Sequence, residues 1–540
     1  MIQKIISLFF SILIFLFSFF SCKPDIDKNK ERLPNIIWLV AEDQSPEFFP
    51  IYGNSTVELP IIESLAKDGI IFNNAYTPAP VCAPARSAII TGLYPSTLGT
   101  HNMRTYNSYK KENQPSIGIP SYSPILQDGV KMFPEYLRKI GYYTSNNSKE
   151  DYNFKKTDGV WDDSSSNAHW KNRAPGQPFF AVFNFGISHE SQIWEQGIND
   201  ILVDQNLVPI PPVFPDTPKI RKDIAVNYSN LIRLDKKIGK IILQLKQEGL
   251  YEKSIIFFYG DHGGPFPRYK RSLYETGIKV PLVIKFPNSK FAGTENNDFI
   301  SFIDYAPSIL SIVGIKPPDV MQGKAKFGKF KASSKTSCIF AASDRFDEKV
   351  DRLRAVRYKH FKYIRNFNPK ISNAIPVLYR EQMPMMKELN KLWKENLLIK
   401  DHRLWFETPK PKEELYDLTK DPYELNNLAD KISLKDTLFF LREVLDQWII
   451  DTNDLGEYSE KELIKKWFYK GKSKELESLT EIRKNNKVFL KHKDKGATIV
   501  WRDNRDSIWK IYKKPLEYSN SIRAKAVRIG YKDSEILSMD

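Results

Sequence analysis

Four short apolar runs constrain this chain more than any other feature. They are 35–41 (NIIWLVA), 179–185 (FFAVFNF), 254–259 (SIIFFY) and 280–284 (VPLVI), all rich in β-branched and aromatic residues. Runs of this length with no polar alternation are the pattern of strands buried on both faces, as in parallel sheets. Between them lie helical stretches, the clearest over 218–248, where Ile224, Tyr228, Leu231, Leu234, Ile238, Ile241, Ile242 and Leu245 recur every three or four residues. Strands alternating with helices predict an α/β fold whose sheet is covered on both sides. At 540 residues, with 41% hydrophobic content and no internal repeat, the chain exceeds one ordinary domain and excludes a fibre, a coiled-coil rod and wholesale disorder.

The texture changes beyond about 345. RAVRYKHFKYIRNF reads as antiparallel strand and 431–450 as helix, which predicts a smaller C-terminal α+β subdomain. Residues 481–540 hold 15 Lys+Arg against 8 Asp+Glu and read as a small basic β module. The expected division is 1–21, 22–345, 346–455, a linker over 456–480, and 481–540. Loops rich in Pro, Ser and Asn fall at 105–127, 156–178 and 367–380.

Residues 1–21 carry Lys4 and then an apolar run to Phe20, the pattern of a secretory signal. Ser21-Cys22 followed by a charged stretch resembles a bacterial lipoprotein signal, with Cys22 as the lipidated first mature residue; an uncleaved membrane anchor is the alternative. Both readings export the protein to a membrane surface, in the periplasm or outside the cell, and argue against nucleic acid as the partner of its +16 net charge. An acidic polysaccharide fits that charge better. Three scattered cysteines, Cys22, Cys82 and Cys338, build neither a disulfide framework nor a thiolate zinc cluster.

In open α/β sheets ligands bind beyond the carboxyl ends of the strands. Here the first three runs are followed by Glu42-Asp43, by His189 and by Asp261-His262. One such residue alone is more commonly a loop or helix-capping side chain, but three sets at one edge describe a divalent-cation site. Its oxygen-rich donors favour calcium or magnesium, then manganese or zinc. Elsewhere, Val81-Cys82-Ala83-Pro84-Ala85-Arg86-Ser87 predicts a helix starting near 84 and ending near Gly92. That places Cys82 at a helix N-terminus with Arg86 one turn on, a setting that favours a thiolate or a bound oxyanion. A lone cysteine is more often a small buried hydrophobe.

Cys82-x-Pro-x-Arg86 followed by Thr-Gly-Leu-Tyr-Pro, the Asn-Ile-x4-Glu-Asp opening, Asp261-His262-Gly, Tyr-Glu-Thr-Gly-Ile-Lys-Val-Pro and the 414–429 segment ELYDLTKDPYELNNLA occur in order. Together they resemble the formylglycine-dependent type I sulfatases. The resemblance spans about 34–429 and implies an alkaline-phosphatase-like fold with a central mixed sheet. It implies hydrolysis of O-sulfate esters on a sulfated carbohydrate. By it, Cys82 becomes formylglycine through a maturation enzyme, of the radical type given Ala85, and its hydrated form is the nucleophile. Glu42, Asp43, Asp261 and His262, with the modified Cys82, would hold one calcium ion, and Arg86 would hold the modified residue. Lys149 and Lys270 would bind the sulfate, and His189 would protonate the leaving oxygen.

The chain departs from the family where Asp151 stands in place of the Lys-x-His histidine. Asp151 itself, or His101 from another loop, would then take that proton. Asp344, Arg345, Asp347, Arg352, Arg354 and Arg357 form a charged cluster that either holds substrate sugars or is a solvated or salt-bridged face. A phosphodiesterase or phosphonate hydrolase of the same superfamily, and an inactive glycan-binding lipoprotein, are the alternative readings.

Overall fold

Ile37, Leu39 and Ala41 point to one side of their strand while Ile36, Trp38 and Val40 point to the other, and all six are buried. In the computed structural model, which describes residues 33–106, 118–195, 201–468 and 471–539, this strand is the centre of an eight-stranded sheet. The expected signal peptide and Cys22 lie outside the described residues. The strands are β1 (Asn35–Ala41), β2 (Ile70–Phe72), β3 (Tyr143–Asn147), β4 (Asp163–Ser164), β5 (Phe179–Phe185), β6 (Ser254–Gly260), β7 (Leu282–Lys285) and β8 (Thr294–Asn296), in the order β8-β2-β7-β6-β1-β5-β3-β4. β1 runs parallel to β5 and β6, with Ala41 opposite both Phe185 and Gly260. That register brings the residues after all three strands to one edge.

The sheet is mixed, as the resemblance implied. β7 is antiparallel to both β6 and β2, which corrects the expectation that 280–284 is a parallel strand. A strand buried on both faces shows the same apolar run in either direction, so its composition does not encode its sense. Val280 belongs to a separate short strand, Lys279–Val280.

Helices cover both faces. On one, α2 (Pro218–Gln247) lays Ile224, Leu231, Leu234 and Ile238 against Ile37, Leu39 and Ala41. Pro218 pre-sets its first turn, and the Thr217 hydroxyl accepts from the Ile220 amide. On the other face Trp38 packs edge-on against Phe180, Tyr259 and Tyr305. Helix α1 (Cys82–Thr91) is buried over its whole length. It starts two residues before Pro84 because a proline in the first turn forfeits no intrahelical hydrogen bond, and it stops at Gly92, whose φ of 77° suits glycine.

A second sheet follows, β9 (Cys338–Phe346), β10 (Lys349–Tyr358), β11 (Phe361–Asn366) and β12 (Glu413–Asp417), antiparallel throughout. It therefore begins at Cys338, inside the 22–345 segment of the expected division. α3 (Lys435–Asp451) covers it through Leu438, Leu441, Leu445 and Trp448. The 456–480 stretch carries a helix, α4 (Glu460–Trp467), with a Ser459–Glu462 capping box, and Leu476 and Leu479 join the core of the terminal module. That module is two small sheets around Val488, Leu490, Ala524 and Ala526. It docks beside the eight-stranded sheet through Thr498 Oγ1, which donates to Glu135 Oε2 at 2.7 Å, and through Arg138, which donates to the Trp509 carbonyl at 2.9 Å.

The charged cluster of the second sheet is salt-bridged, mostly to groups outside it. Arg354 is fully buried, its guanidinium on Asp454 and on Asp344 at 3.0 Å, and Arg345 holds Glu460. Removing one partner of a buried pair strands the others in a low dielectric. Arg354→Ala is therefore expected to lower stability by about 3–5 kcal/mol in urea unfolding; a loss below about 1 kcal/mol would mean that water replaces the guanidinium.

Candidate active site

Because β1, β5 and β6 end in register, Asp43, His189 and Asp261-His262 emerge together, and the N-terminus of α1 brings Cys82 to the same place. Ligand atoms of Asp43, Cys82, Asp261 and His262, all buried, lie within 4.8 Å of one another. Cys82 Sγ is 3.2 Å from His262 Nε2. His262 donates from Nδ1 to the Gly263 carbonyl at 2.9 Å, which fixes the ring and turns Nε2 toward Asp43 Oδ1 at 3.1 Å and Asp261 Oδ1 at 3.8 Å.

Asp43 has no exposed surface. Its Oδ2 accepts from Lys270 Nζ and from the Glu190 amide, both at 2.7 Å, whereas its Oδ1 is buried without a hydrogen bond. Two carboxylates and one oriented imidazole, with an Asp43 Oδ1 whose close contact is the His262 ring at 3.1 Å, suit a hard divalent cation. Glu42 stands outside this group. Its carboxylate accepts from Lys149 Nζ at 2.7 Å and faces the Arg86 guanidinium at 3.7 Å.

Arg86 reaches back from α1 to Asp261 at 3.0 Å and donates to Asn184 Oδ1 at 2.7 Å. Lys270 also contacts Glu190 Oε1 at 2.9 Å and His189 Nε2 at 3.2 Å. Burial pushes the Cys82 thiol up, but Lys149 and Lys270 more than reverse this and bring its pKa down to about 6. Burial disfavours the His262 cation, yet Asp261 and Asp43 hold its pKa up to about 10. Asp261 is pulled down to about 2, burial being outweighed by His262 and Arg86.

The expected residues therefore divide. Asp43, Cys82, Arg86, Lys149, His189, Asp261, His262 and Lys270 converge. Asp151 lies beside them, within electrostatic reach of Lys149. His101 does not join them: it is buried among Asp344, Arg354, Asp454 and Glu460, and burial holds its pKa below the ordinary value. Sequence reasoning passed over Glu190, Asn184 and Arg271. Glu190 receives Arg271 through two bonds of 2.9 Å, and Arg271 also grips Asp347. Asn184 was visible as the lone polar residue inside an apolar strand. Glu190 and Arg271 directly follow His189 and Lys270, and carried no signal of their own.

A sulfatase family model matches residues 34–315. The chain belongs to the sulfatase family. A model of the C-terminal part of N-sulphoglucosamine sulphohydrolase matches residues 260–398. An ulvan-active sulfatase of Formosa agariphila is 40% identical, over 94% of this chain and 91% of its own length. Human N-sulphoglucosamine sulphohydrolase is 24% identical, over 79% of this chain and 91% of its own. The fold is shared with a sulfatase solved with its substrate D-glucosamine-2-N,6-O-disulfate, at a TM-score of 0.56 and 16% identity, covering 79% of this chain and all of that one. These sulfatase folds carry the central mixed sheet and the C-terminal sheet described above.

Two measurements probe the site. In metal-free protein with unmodified Cys82, thiolate absorbance at 240 nm is expected to rise with a midpoint near pH 6. Lys149→Met moves that midpoint upward. The folded thiol lies below its ordinary value, so the stabilisation is present above that ordinary value and is lost as pH falls through about 6. Asp43→Asn is expected to weaken calcium binding by about 10- to 100-fold or more in titration calorimetry, with an unchanged far-UV spectrum; undiminished binding would remove Asp43 from the cation site.

Proposed function

We propose that this sulfuric ester hydrolase removes O-sulfate groups from a sulfated carbohydrate, using a formylglycine made from Cys82 and one calcium ion held by Asp43, Asp261 and His262, with Glu42 beside them. The observation that carries the reading is the surroundings of Cys82: a helix N-terminus, a cation-fitting donor set, and Lys149, Lys270 and Arg86 around one buried position. The relatives support the substrate class, since one is described as ulvan-active, another as acting on N-sulphoglucosamine, and the solved structure holds a sulfated glucosamine. The N-terminal sequence supports export and a lipid anchor at Cys22, and Cys82 implies a maturation enzyme as a partner before folding.

When present, the formylglycine hydrate supplies a hydroxyl that attacks sulfur and a second that lets the aldehyde re-form, while calcium offsets charge on the transferred group. The side chains do the rest. Lys149 and Lys270 are held in place by Glu42 and by Asp43 and Glu190, so they meet the sulfate oxygens without reorganising. The Ser191 amide donates to His189 Nδ1, and Lys270 Nζ, which can only donate, faces Nε2, both at 3.2 Å. Lys270 thus supplies the proton that His189 Nε2 passes to the departing sugar oxygen. Asp151, whose Oδ2 is buried without a hydrogen bond, takes up the proton released when sulfate leaves.

In protein from its native host, the tryptic peptide containing Cys82 is expected to be lighter than the thiol form by about 18 Da, the thiol-to-aldehyde difference required for a covalent nucleophile. Cys82→Ala abolishes sulfate release. His189→Ala is expected to lower kcat on sugar sulfates by about 10²- to 10⁴-fold and to spare 4-nitrophenyl sulfate, whose leaving group needs no proton. Unmodified Cys82 together with no sulfate release would overturn the reading in favour of an inactive glycan binder.

A further inference from the structure

Arg104 stands at the rim of the site and is the cation there whose charge the fold leaves least committed. Its backbone is in the left-handed region at φ 51°, as are Asp151 at 51° and Asn153 at 61°. Residues seldom adopt that conformation unless the surroundings hold them in it. Asn153 does the holding. Its side-chain amide donates to the carbonyls of Thr100 and Asn102 at 2.7 and 2.6 Å, its Oδ1 accepts from the Thr105 amide at 3.1 Å, and its backbone carbonyl accepts from the Thr105 hydroxyl at 2.8 Å. The loops bearing Arg104 and Asp151 are thereby clamped into one rigid unit.

That unit does not satisfy the guanidinium. Among the described residues, Arg104 Nε is buried without a hydrogen bond, and its carboxylate contact is an ion pair with Asp151 Oδ1 at 3.8 Å, longer than a hydrogen bond. Asp151 Oδ2 is likewise without one. Arg86 and Arg271, by contrast, each hold two protein partners and are nearly enclosed. The Arg104 side chain is 31% exposed, and Cys82, Asp347 and Tyr379 lie within its electrostatic reach. The Tyr379 ring stands with its centroid 6.2 Å from that of His189 and 5.2 Å from that of Trp194, giving a sugar ring an aromatic wall.

We propose that Arg104 is a specificity-determining residue that holds a second anionic group of the substrate, a carboxylate or another sulfate, on the sugar that carries the scissile sulfate or on its neighbour. The planar guanidinium fork matches either oxyanion in two-point contact. This rests on the sulfate-ester reading above and narrows it to substrates with at least two negative charges at the site.

The test uses the full-length enzyme and three probes: a sulfated oligosaccharide containing uronate, the same material with its carboxyls reduced, and a neutral monosulfated sugar. Arg104→Ala is expected to lower kcat/KM by about 10- to 100-fold, mainly through KM, on the first probe and by less than about 3-fold on the last, the range of one charge-assisted contact. Arg104→Lys recovers part of the loss. If carboxyl reduction erases the difference, the anion is the carboxylate; if the difference persists, it is a second sulfate. An equal loss on all three probes would assign Arg104 to structure alone and overturn the proposal. Calorimetric binding of the same probes to Cys82→Ala, with and without Arg104→Ala, separates the two claims. If the wild type releases no sulfate from any probe, the hydrolase reading falls, while the binding ratio still decides the role of Arg104.

Discussion

The site depends on keeping one carboxylate, that of Asp43, wholly out of water. Three segments close on it: Lys270 and the Glu190 amide on one oxygen, and the Asp261-His262 turn, with His262 facing the other oxygen and Asp261 accepting from the Asp43 amide. A charge buried so deeply persists only if its partners are fixed, because each absent partner would expose a desolvation cost of several kcal/mol. Lys270 is held by Glu190, and Glu190 by Arg271, which in turn is held by Asp347 from the second sheet. The chain of opposite charges thus runs from the sheet edge to the C-terminal subdomain and joins the two into one electrostatic unit.

The major elements were legible because burial on both faces leaves an unambiguous mark. Asn35–Ala41 and Phe179–Phe185 coincide with the strands read from their apolar runs, and Pro218–Gln247 with the helix read from its period. Strand direction at Leu282–Lys285 was not legible, since an apolar run is the same in either sense. Nor was the start of the second sheet at Cys338, where SCIFAAS resembles any buried strand and only pairing with Lys349–Tyr358 assigns it.

The site was legible where chemistry follows a strand end. Glu42, Asp43, His189, Asp261 and His262 were found by asking what comes after each apolar run. The exclusion of His101 was not legible, because its fate depends on Asp344, Arg354 and Asp454, which reach it from more than 240 residues away along the chain. Arg104 was hidden for a similar reason. Its uncommitted charge becomes apparent only when the neighbouring loop brings Asp151 close without bonding it.

Cys82 has no exposed surface, and the ring against its sulfur, His262, lies 180 positions later. Val81, Met103 and Phe346 complete the apolar wall around it. Sealing the thiol therefore requires His262 and, from the second sheet, Phe346. Long-range closure of this kind is slow compared with local helix formation. The sequence distance between Cys82 and its cover thus works as a timer: if Cys82 is oxidised as proposed above, that step competes with folding, and a faster-folding variant would yield more native but chemically immature protein.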